Sequence, residues 1–397
     1  MLCRWVDDFR SLSTSKLLKM LAPFLFVLGA VPLTLGLSSL KASTPNGQEE
    51  DECAVISRRI SWRNLTSTEK SDYIKADLCL MSSPPKAGIN GAKNRWDELQ
   101  YIHIAQTDYV HGVGAFLPFH RYFMKVHEHV LRTECNYTGP LPYWDEPADI
   151  GNIIGSPLFD VETGFGGNGT GAGNCVADGP FANLTLRFQA DLSIDEYCLS
   201  RYLNDRALSM ATEENVEKCL ERETYVEAWN CLEGLPHGAG HGAVMGTMIN
   251  PFTSPGDPIF YLHHGYLDKL WWDWQSRNLT TRLTEIGGNN TARGPGFGPG
   301  FGGGAPGGGP GGGFPGGNPF GGNGSFPFPG FPPSNGSSPF PFPGGNKTVN
   351  KAFTDYFNDG GNVTTLNHTL WSAGVMDNIT IADVMDPSGK FMCTEYL

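Results

Sequence analysis

Positive charge is scarce in this chain of 397 residues. Lysine and arginine contribute 28 residues against 41 aspartates and glutamates, so the formal net charge is −13. The basic residues form no stripe that would neutralise a row of phosphates, and nucleic acid is therefore not expected as a partner. An acidic balance of this kind mostly favours solubility.

Thiolate metal sites are missing as well. The nine cysteines include no CxxC pair and no other spacing typical of a thiolate site. Any metal site would therefore have to use histidine ligands. Apart from Cys3, an even number of cysteines remains, which in an exported chain predicts disulfides of unknown connectivity: Cys53, Cys79, Cys135, Cys175, Cys198, Cys219, Cys231 and Cys393.

The N-terminal segment is predicted to be a secretory signal covering residues 1–42. Its apolar run, KLLKMLAPFLFVLGAVPLTLGL at residues 16–37, follows basic residues and is followed by small ones. Retention as a membrane anchor is the alternative, because the run is at the lower limit for spanning a bilayer. Pro23 and Pro32 interrupt it and Ala42 offers a cleavage point, so we favour a secreted protein with no membrane contact after cleavage.

Acceptor sequences for N-glycosylation are dense, which also favours secretion. They occur at Asn64, Asn136, Asn168, Asn183, Asn278, Asn289, Asn323, Asn335, Asn346, Asn362, Asn367 and Asn378.

Residues 287–347 are almost entirely glycine, proline, phenylalanine and asparagine. Such a composition buries too little apolar surface to offset the entropy of ordering, so it predicts a disordered insertion. Residues 43–286 and 348–397 are then expected to be two parts of one domain.

Nine of the ten histidines fall into two groups, five between positions 103 and 129 and four at 237, 241, 263 and 264. In the first group, a helix starting at Asn94 or Asp97 would carry His103. Gly112, Gly114 and Pro118 then place His111 in a loop, and a helix over residues 118–133 would carry His120.

The second group is predicted to lie on two further helices. His237 and His241 are spaced i, i+4, which places both rings on one helical face. The glycines between them each cost a helix about 1 kcal/mol relative to alanine, so such a helix needs a packing or ligand reason. Asp257 and Pro258 then start a helix whose apolar stripe includes His264, with His263 one position off it. The predicted fold is mainly α, a four-helix bundle around a binuclear site.

Neutral imidazole without thiolate suits copper, zinc, iron or nickel. Carboxylates are missing from the obvious ligand positions, which disfavours the two-histidine-one-carboxylate pattern of non-haem iron. Two three-histidine sites therefore favour copper or zinc.

Several long motifs carry a family resemblance. They are HGVGAFLPFHRYF at 111–123, PYWD at 142–145, HGAGH at 237–241, DPIFYLHHGYLDKLW at 257–271 and VMD at 384–386. The sequence resembles the superfamily of tyrosinases, catechol oxidases and haemocyanins, most closely the short secreted fungal tyrosinase-like enzymes. The resemblance covers roughly residues 53–278 and the tail, and the glycine-rich insertion has no counterpart in the family core.

The resemblance implies two copper ions, one held by His103, His111 and His120 and the other by His237, His241 and His264. His263 is then a neighbour of the ligands. His127 is expected to be a packed polar residue, and His129 and His368 are expected to be ordinary surface histidines.

The implied activity is oxidation of catechols or o-aminophenols to quinones by dioxygen, on a phenolic small molecule or a tyrosine-containing precursor. Monophenol hydroxylation is in doubt because Gly238 stands where hydroxylating relatives often carry an asparagine that orients a water. Glu227 and Glu233 lie in the region that holds this water in relatives, and neither can be chosen. Tyr109 replaces the cysteine that forms a thioether in many fungal relatives.

Other expectations concern residues around the metals. Glu128 and Asp268 are expected either to hold ligand imidazoles or to form ion pairs with residues such as Arg121 and Lys269. Phe252 is a candidate for a residue over the substrate copper.

Three alternative functions remain open. Haemocyanin-like dioxygen carriage would need a further domain over the site, and the tail is short for one. A non-catalytic wall glycoprotein would leave the ordered histidines unexplained. Zinc hydrolysis generally needs a carboxylate base or bridging ligand, so it is the weaker alternative.

Overall fold

The computed structural model describes Cys53, residues 55–291 and residues 357–397. The predicted signal (1–42) and residues 292–347 of the predicted insertion lie outside the described residues. The chain divides into two units, Met1–Glu50 and Asp51–Leu397, and everything described below belongs to the second. Within the described ranges, no helix is both long and apolar enough to cross a bilayer.

The described body is rich in helices, as predicted. In chain order they are α1 Ser67–Ser82, α2 Arg95–Ile104, α3 Thr107–Val110, α4 Phe116–Glu134, α5 Asp205–Leu208, α6 Glu213–Leu220, α7 Tyr225–Leu232, α8 Gly238–Val244, α9 Ile259–Ser276 and α10 Leu279–Arg282. The strands are short: β1 Ser57–Ser61, β2 Leu141–Tyr143, β3 Gly169–Thr170, β4 Cys175–Val176, β5 Thr185–Phe188, β6 Ile194–Cys198, β7 Thr369–Leu370, β8 Ile379–Thr380 and β9 Thr394–Tyr396.

Four of these helices, α2, α4, α8 and α9, carry all but two of the nine histidines in the two groups, and they confirm the predicted helical core; His111 follows α3, and His237 ends the π-helical turn before α8. Helix α4 packs along α9, and α8 follows a π-helical turn at Glu233–His237 that packs against α9. Large buried aromatic side chains fill the space around them. The four histidine-bearing elements therefore meet inside one hydrophobic core.

Local sequence signals fix where these helices begin. Thr66 and Glu69 form the expected capping box at the start of α1. The side chain of Asn94 caps α2 by accepting a hydrogen bond from Asp97 N. Helix α4 begins at Phe116, two residues before the predicted Pro118. Helix α9 begins at Ile259, one residue after the predicted Pro258, which takes the cap position; a carboxylate oxygen of Asp257 still accepts from Ile259 N at 3.0 Å.

A small parallel sheet joins the two ends of the described body. Its strand order is β2-β1-β9, with Arg59 opposite Leu141 and Ser57 opposite Thr394. The Cys53–Cys393 disulfide closes the same edge. The C-terminal strand therefore packs into the body rather than leaving it.

All eight of the predicted disulfide cysteines are paired. The bonds are Cys53–Cys393, Cys79–Cys135, Cys175–Cys198 and Cys219–Cys231. The second bond ties α1 to the end of α4, and the fourth ties α6 to α7. Each bond restricts the unfolded chain and so stabilises the framework around the histidines.

Candidate metal centre

Three histidines form what we call the first cluster: His103 in α2, His111 after α3 and His120 in α4. Their ring centroids are 5.0, 5.5 and 5.2 Å apart. The Nε2 atoms of His103 and His120 are 3.4 Å apart. The structure thus brings together three side chains that the sequence places on a helix, a loop and a helix.

Four histidines form the second cluster: His237, His241, His263 and His264. The rings of His237 and His241 are 4.5 Å apart, as their spacing of four residues predicts. The ring of His264 lies 5.2 Å from His237 and 5.5 Å from His241. Helices α8 and α9 therefore present their imidazoles to one another.

The two clusters face each other directly. The rings of His120 and His264 are stacked with centroids 4.2 Å apart and planes 10° apart. Phe116 packs on His237 at 4.8 Å, and Phe260 packs on His264 at 4.2 Å. The seven imidazoles therefore form one binuclear arrangement rather than two separate sites.

Most of the ligand candidates are oriented by backbone carbonyls. The Nδ1 atoms donate to Phe252 O at 3.1 Å (His103), Thr107 O at 3.0 Å (His111), Phe116 O at 2.8 Å (His120), Glu233 O at 3.1 Å (His237) and Met248 O at 2.6 Å (His241). Because a carbonyl only accepts, each Nδ1 carries the proton and each Nε2 keeps a free lone pair.

Burial keeps these imidazoles neutral. It lowers the pKa of His111 to about 4 and the pKa values of His103, His120, His237, His241 and His264 well below the usual value. Among the described residues, Nε2 of His237 and both ring nitrogens of His264 have no hydrogen-bond partner although they are buried. Converging unpaired lone pairs of this kind are unfavourable without a cation, and a set of neutral imidazoles fits copper.

The candidate ligands differ in exposure. His103, His120 and His264 are buried, whereas His111, His237 and His241 are partly exposed. Gly238 follows His237, and a Cβ added there would meet nothing within 4 Å. Solvent therefore reaches both clusters at His111, His237 and His241.

Glu233 begins the π-helical turn that ends at His237. Its carboxylate accepts from Gly112 N at 2.8 Å and from Trp229 Nε1 at 2.7 Å, and burial raises its pKa to about 8. Glu227 instead caps its own helix through Thr224. The sequence alone left both acids open as candidates. Glu233 lies four residues before His237, and this spacing is the signal that distinguishes it from Glu227.

The expectation that Glu128 and Asp268 hold ligand imidazoles is wrong. Asp268 accepts from Arg59 Nη1 at 2.6 Å, from Arg121 Nε at 2.5 Å and from the hydroxyl of Tyr396. Both of its oxygens are therefore occupied by the ion pairs that were the alternative prediction.

Glu128 is likewise engaged by cations. It accepts from Arg132 Nε at 2.7 Å and from Lys125 Nζ at 3.3 Å. Both carboxylates are buried, and a buried carboxylate binds the nearest available cation. Backbone carbonyls take the role that these side chains were expected to have.

Sequence reasoning missed Glu146, which follows the PYWD motif. Its Oε1 atom accepts from His263 Nδ1 at 2.5 Å, and both side chains are buried. Burial, followed by the nearby Asp145 and Asp149, raises the pKa of Glu146 well above its usual value, an effect that a bound cation would oppose. No motif of the sequence pairs these two residues, which lie 117 positions apart.

The remaining histidines lie outside both clusters. His127 stacks on Tyr261 at 3.8 Å and its Nε2 atom pairs with Asp77 at 2.9 Å, so it is a packed polar residue as expected. The prediction of a surface position for His368 is wrong: it is 2% exposed and its Nδ1 atom contacts Asp359 at 2.6 Å. His129 is partly buried.

Phe252 contributes through its backbone, since its carbonyl oxygen orients His103. Whether its ring covers the substrate stays a prediction. The ring of Tyr109 packs edge-on against Phe357 at 5.6 Å.

Comparison with known proteins agrees with this geometry. The family description "common central domain of tyrosinase" matches residues 93–277. Tyrosinase-like protein phomQ1' of Diaporthe leptostromiformis is 34% identical over 274 residues, covering 63% of this chain and 71% of the relative. Tyrosinase ustQ of Aspergillus flavus is 33% identical over 279 residues, covering 67% of this chain and 77% of the relative.

A solved structure shares the fold. A variant of polyphenol oxidase from Thermothelomyces thermophila superimposes with a TM-score of 0.64 at 24% identity, covering 87% of this chain and 90% of the other. The paired histidine clusters, the matched central domain and the relatives together show that the chain belongs to the tyrosinase family of dicopper oxidoreductases.

Proposed function

We propose that the chain is a secreted copper oxidase that uses dioxygen to convert catechols or o-aminophenols to quinones. His103, His111 and His120 would hold one copper ion, and His237, His241 and His264 the other. The observation that carries this assignment is the set of buried, neutral imidazoles whose Nδ1 atoms are fixed and whose Nε2 atoms converge.

Secretion is supported by the covalent chemistry of the chain. Four disulfides are typical of proteins that fold in an oxidising compartment. Several acceptor asparagines lie on the exposed surface, as glycan attachment requires: Asn64, Asn136, Asn278, Asn362, Asn367 and Asn378.

Copper, when bound, supplies the redox chemistry, and two catechols yield the four electrons and four protons that reduce one dioxygen to two waters. The chain contributes the surroundings. Backbone carbonyls hold each imidazole in one tautomer, and Phe116 and Phe260 exclude water from the space beside the rings. A flat phenolic ring would reach the second cluster beside the partly exposed rings of His237 and His241.

The first experiment is metal loading followed by substrate comparison. Purified protein loaded with copper should bind two ions per chain and consume dioxygen with catechol and with o-aminophenol. The matched variant His129→Gln removes an imidazole outside the clusters and should behave like the wild type. Copper binding without oxidation of either substrate would contradict the oxidase and favour reversible dioxygen carriage.

Monophenols are expected to be poor substrates because Gly238 has no side chain to orient a water near Glu233. The open space beside Gly238 would accommodate an asparagine. Gly238→Asn should therefore raise tyrosine hydroxylation relative to catechol oxidation by about 100-fold, the lower end of the range for a positioned proton acceptor. Gly238→Ala is the control, since it adds a side chain without an amide. Equal gains in both variants would contradict the role given to this position.

A further inference from the structure

We propose that Asn289 is a positioning residue for the first copper ion, and that it carries no glycan in the copper-loaded protein although it begins an N-glycosylation acceptor sequence. Asn289 acts through Gly112 and Gly114, which lie in the loop that joins His111 to α4. The proposal rests on the function proposed above, because it takes His111 as a copper ligand.

The backbone of His111 has little local support. His103 and His120 lie within helices, whereas His111 follows α3 and precedes α4. The next residue, Gly112, has φ 63°, a left-handed conformation that ends regular structure at this point. The carbonyl of Thr107 orients the His111 ring but does not fix the loop after it. That loop therefore depends on hydrogen bonds from other parts of the chain.

Asn289 supplies two of these hydrogen bonds. Its Nδ2 atom donates to Gly112 O at 3.1 Å, and its main-chain carbonyl accepts from Gly114 N at 2.8 Å. Glu233 accepts from Gly112 N at 2.8 Å, and the hydroxyl of Tyr225 donates to Gly114 O at 2.6 Å. All four main-chain polar groups of the two glycines are thus paired, and Asn289 pairs two of them.

Gly114 allows the segment that carries Asn289 to reach the loop. A Cβ added to Gly114 would lie 1.9 Å from Gly287 O and 2.7 Å from Thr364 Oγ1. No side chain larger than hydrogen fits there. The main chain of residues 287–289 therefore packs directly against the loop, and the contact of Asn289 with it is part of the fold.

Asn289 is in turn held by the C-terminal part of the domain. Thr364 Oγ1 donates to Asn289 O at 3.2 Å. The neighbouring Asn290 is 4% exposed, and its Nδ2 atom donates to Asp359 Oδ2 at 3.1 Å and to Gly361 O at 2.6 Å. The two adjacent asparagines thus join the His111 loop to the chain that follows the predicted insertion.

Both N–H groups of the Asn289 amide are in use. An asparagine amide has two N–H donors, and Nδ2 of Asn289 donates to Gly112 O and also to Thr291 O at 2.8 Å. A glycan linkage would replace one N–H with a sugar carbon and place a bulky group against the loop. The acceptor asparagines Asn136 and Asn278 are exposed, whereas Asn289 is partly buried. Glycosylation of Asn289 is therefore incompatible with its contacts to the loop.

The first test measures copper affinity in full-length chains made in a eukaryotic secretory host. Metal-free protein is titrated with Cu⁺ against a chromogenic Cu⁺ chelator. Asn289→Asp keeps the side-chain shape but removes both donors, and it should weaken one copper ion by about 10-fold to 100-fold, as for other residues that orient metal ligands. Thr291→Ala removes the acceptor sequence but keeps Asn289, and it should match the wild type. Wild-type affinity for both ions in Asn289→Asp would overturn the inference.

Hydrogen exchange of the copper-free protein tests the loop itself. Asn289→Asp should speed exchange of the Gly112 and Gly114 amides and leave the amides in the middle of α4 unchanged, whereas Thr291→Ala should change neither. Unaltered exchange in the loop would overturn the inference. Faster exchange throughout α4 would overturn it as well, because Asn289 would then support the whole fold rather than the His111 loop.

A spectroscopic test separates positioning from general stability. In a His264→Gln background, which disables the second cluster, one Cu²⁺ ion remains in the first, and its electron paramagnetic resonance hyperfine splitting reports the ligand geometry. Adding Asn289→Asp should shift this splitting, whereas adding Thr291→Ala should not. Identical spectra for the two double variants would overturn the inference.

Glycan mapping tests the unmodified state of Asn289. Enzymatic release in isotopically labelled water converts each glycosylated asparagine to labelled aspartate, which mass spectrometry locates in the wild-type fraction that holds two copper ions. Asn136 and Asn278 should be labelled and Asn289 should not; label at Asn289 would overturn the inference. If the wild type does not bind two copper ions, the proposed function and this inference both fail. If it binds two and Asn289→Asp binds both equally well, only this inference fails.

Discussion

The first cluster takes one ring each from α2, from the segment after α3 and from α4, whereas the second takes one ring from the π-helical turn before α8, one from α8 and two adjacent rings from α9. In the first, each Nδ1 atom donates to a backbone carbonyl. In the second, His237 and His241 use carbonyls, His263 uses Glu146, and His264 has no partner among the described residues. The rings of the first cluster are thus oriented by main chain, while the second also depends on a side chain brought from elsewhere.

The two clusters also differ in how local their support is. His111, His120 and His237 each donate to the carbonyl four residues earlier, at Thr107, Phe116 and Glu233. His103 and His241 depend on carbonyls of the 245–252 segment, which follows α8. Both clusters therefore rely on one segment of irregular structure, and that segment contains a strained residue, Met245, with φ 56° and ψ −152°.

The largest expected effect comes from removing one ligand on each side. His103→Gln leaves only two imidazoles in the first cluster, so we expect loss of one copper ion and of catechol oxidation. His264→Gln leaves only His237 and His241 of the proposed ligands of the second copper, so we expect loss of that ion and of catechol oxidation as well. Metal analysis at rising copper concentration measures both losses, with His129→Gln as the control; two copper ions retained in either variant would contradict the ligand assignment.

Breaking the ion pair between α4, which carries His120, and α9, which carries His264, should have the next largest effect. Arg121 lies beside His120 on α4, and its partner Asp268 lies on α9, four residues after His264. Arg121→Met breaks a fully buried pair and should lower the free energy of unfolding by about 3–5 kcal/mol.

Thermal or urea unfolding of the copper-free protein gives this value. The control is Lys269→Met, which removes a partly exposed pair with Asp273 on the same helix and should cost about 0.5 kcal/mol or less. Similar losses in both variants would mean that burial of the Arg121 pair adds no stability.

The next prediction concerns the buried pair of Asp359 and His368, which lies near the first cluster. Phe357, next to this pair, packs on Tyr109, and Gln106 donates to Trp371 O, so this region covers the segment that leads to His111. Burial acts to raise the pKa of Asp359, but hydrogen bonds from His368, Thr365 and Asn290 lower it.

Asp359→Asn should therefore cost about 1.5–3 kcal/mol at pH 7, the range for hydrogen bonds to a charged group. Because the folded pKa lies below the usual value of 3.8, this contribution is complete above pH 3.8 and is lost as the pH falls through the folded pKa. Urea unfolding at pH 7, 5 and 3.5 should show a constant difference from the wild type at the first two values and a smaller one at the third. A difference that grows on acidification would contradict the sign.

The smallest effect concerns Met245, which begins the segment that supplies the Met248 and Phe252 carbonyls to the two clusters. Its backbone is in a region that costs a non-glycine residue about 1–3 kcal/mol. Met245→Gly should relieve this strain and, after the larger unfolded-state entropy of glycine, raise stability by about 1 kcal/mol. Met245→Ala keeps the strain and serves as the control, so a rise in melting temperature shared by both variants would exclude backbone strain as the cause.

Much of the metal centre was predictable from the sequence because it depends on local order. The i, i+4 spacing of His237 and His241, the loop position of His111 and the cap at Asn94 each follow from rules that act within a few residues. The even cysteine number likewise predicted complete pairing. The partners of individual side chains were not predictable: two roles for Asp268 were left open, and His368 was expected on the surface.

The sequence by itself determined which residue types are available, six candidate ligand imidazoles on helices and a loop, and the family to which the chain belongs. Only the tertiary structure decided which group orients each ring. A buried polar atom must find a partner among whatever the fold brings within about 3 Å. This proximity in the folded chain pairs Glu146 with His263, 117 positions away, and pairs Asp268 with Arg59 and Arg121. Neither pairing follows from a spacing along the sequence.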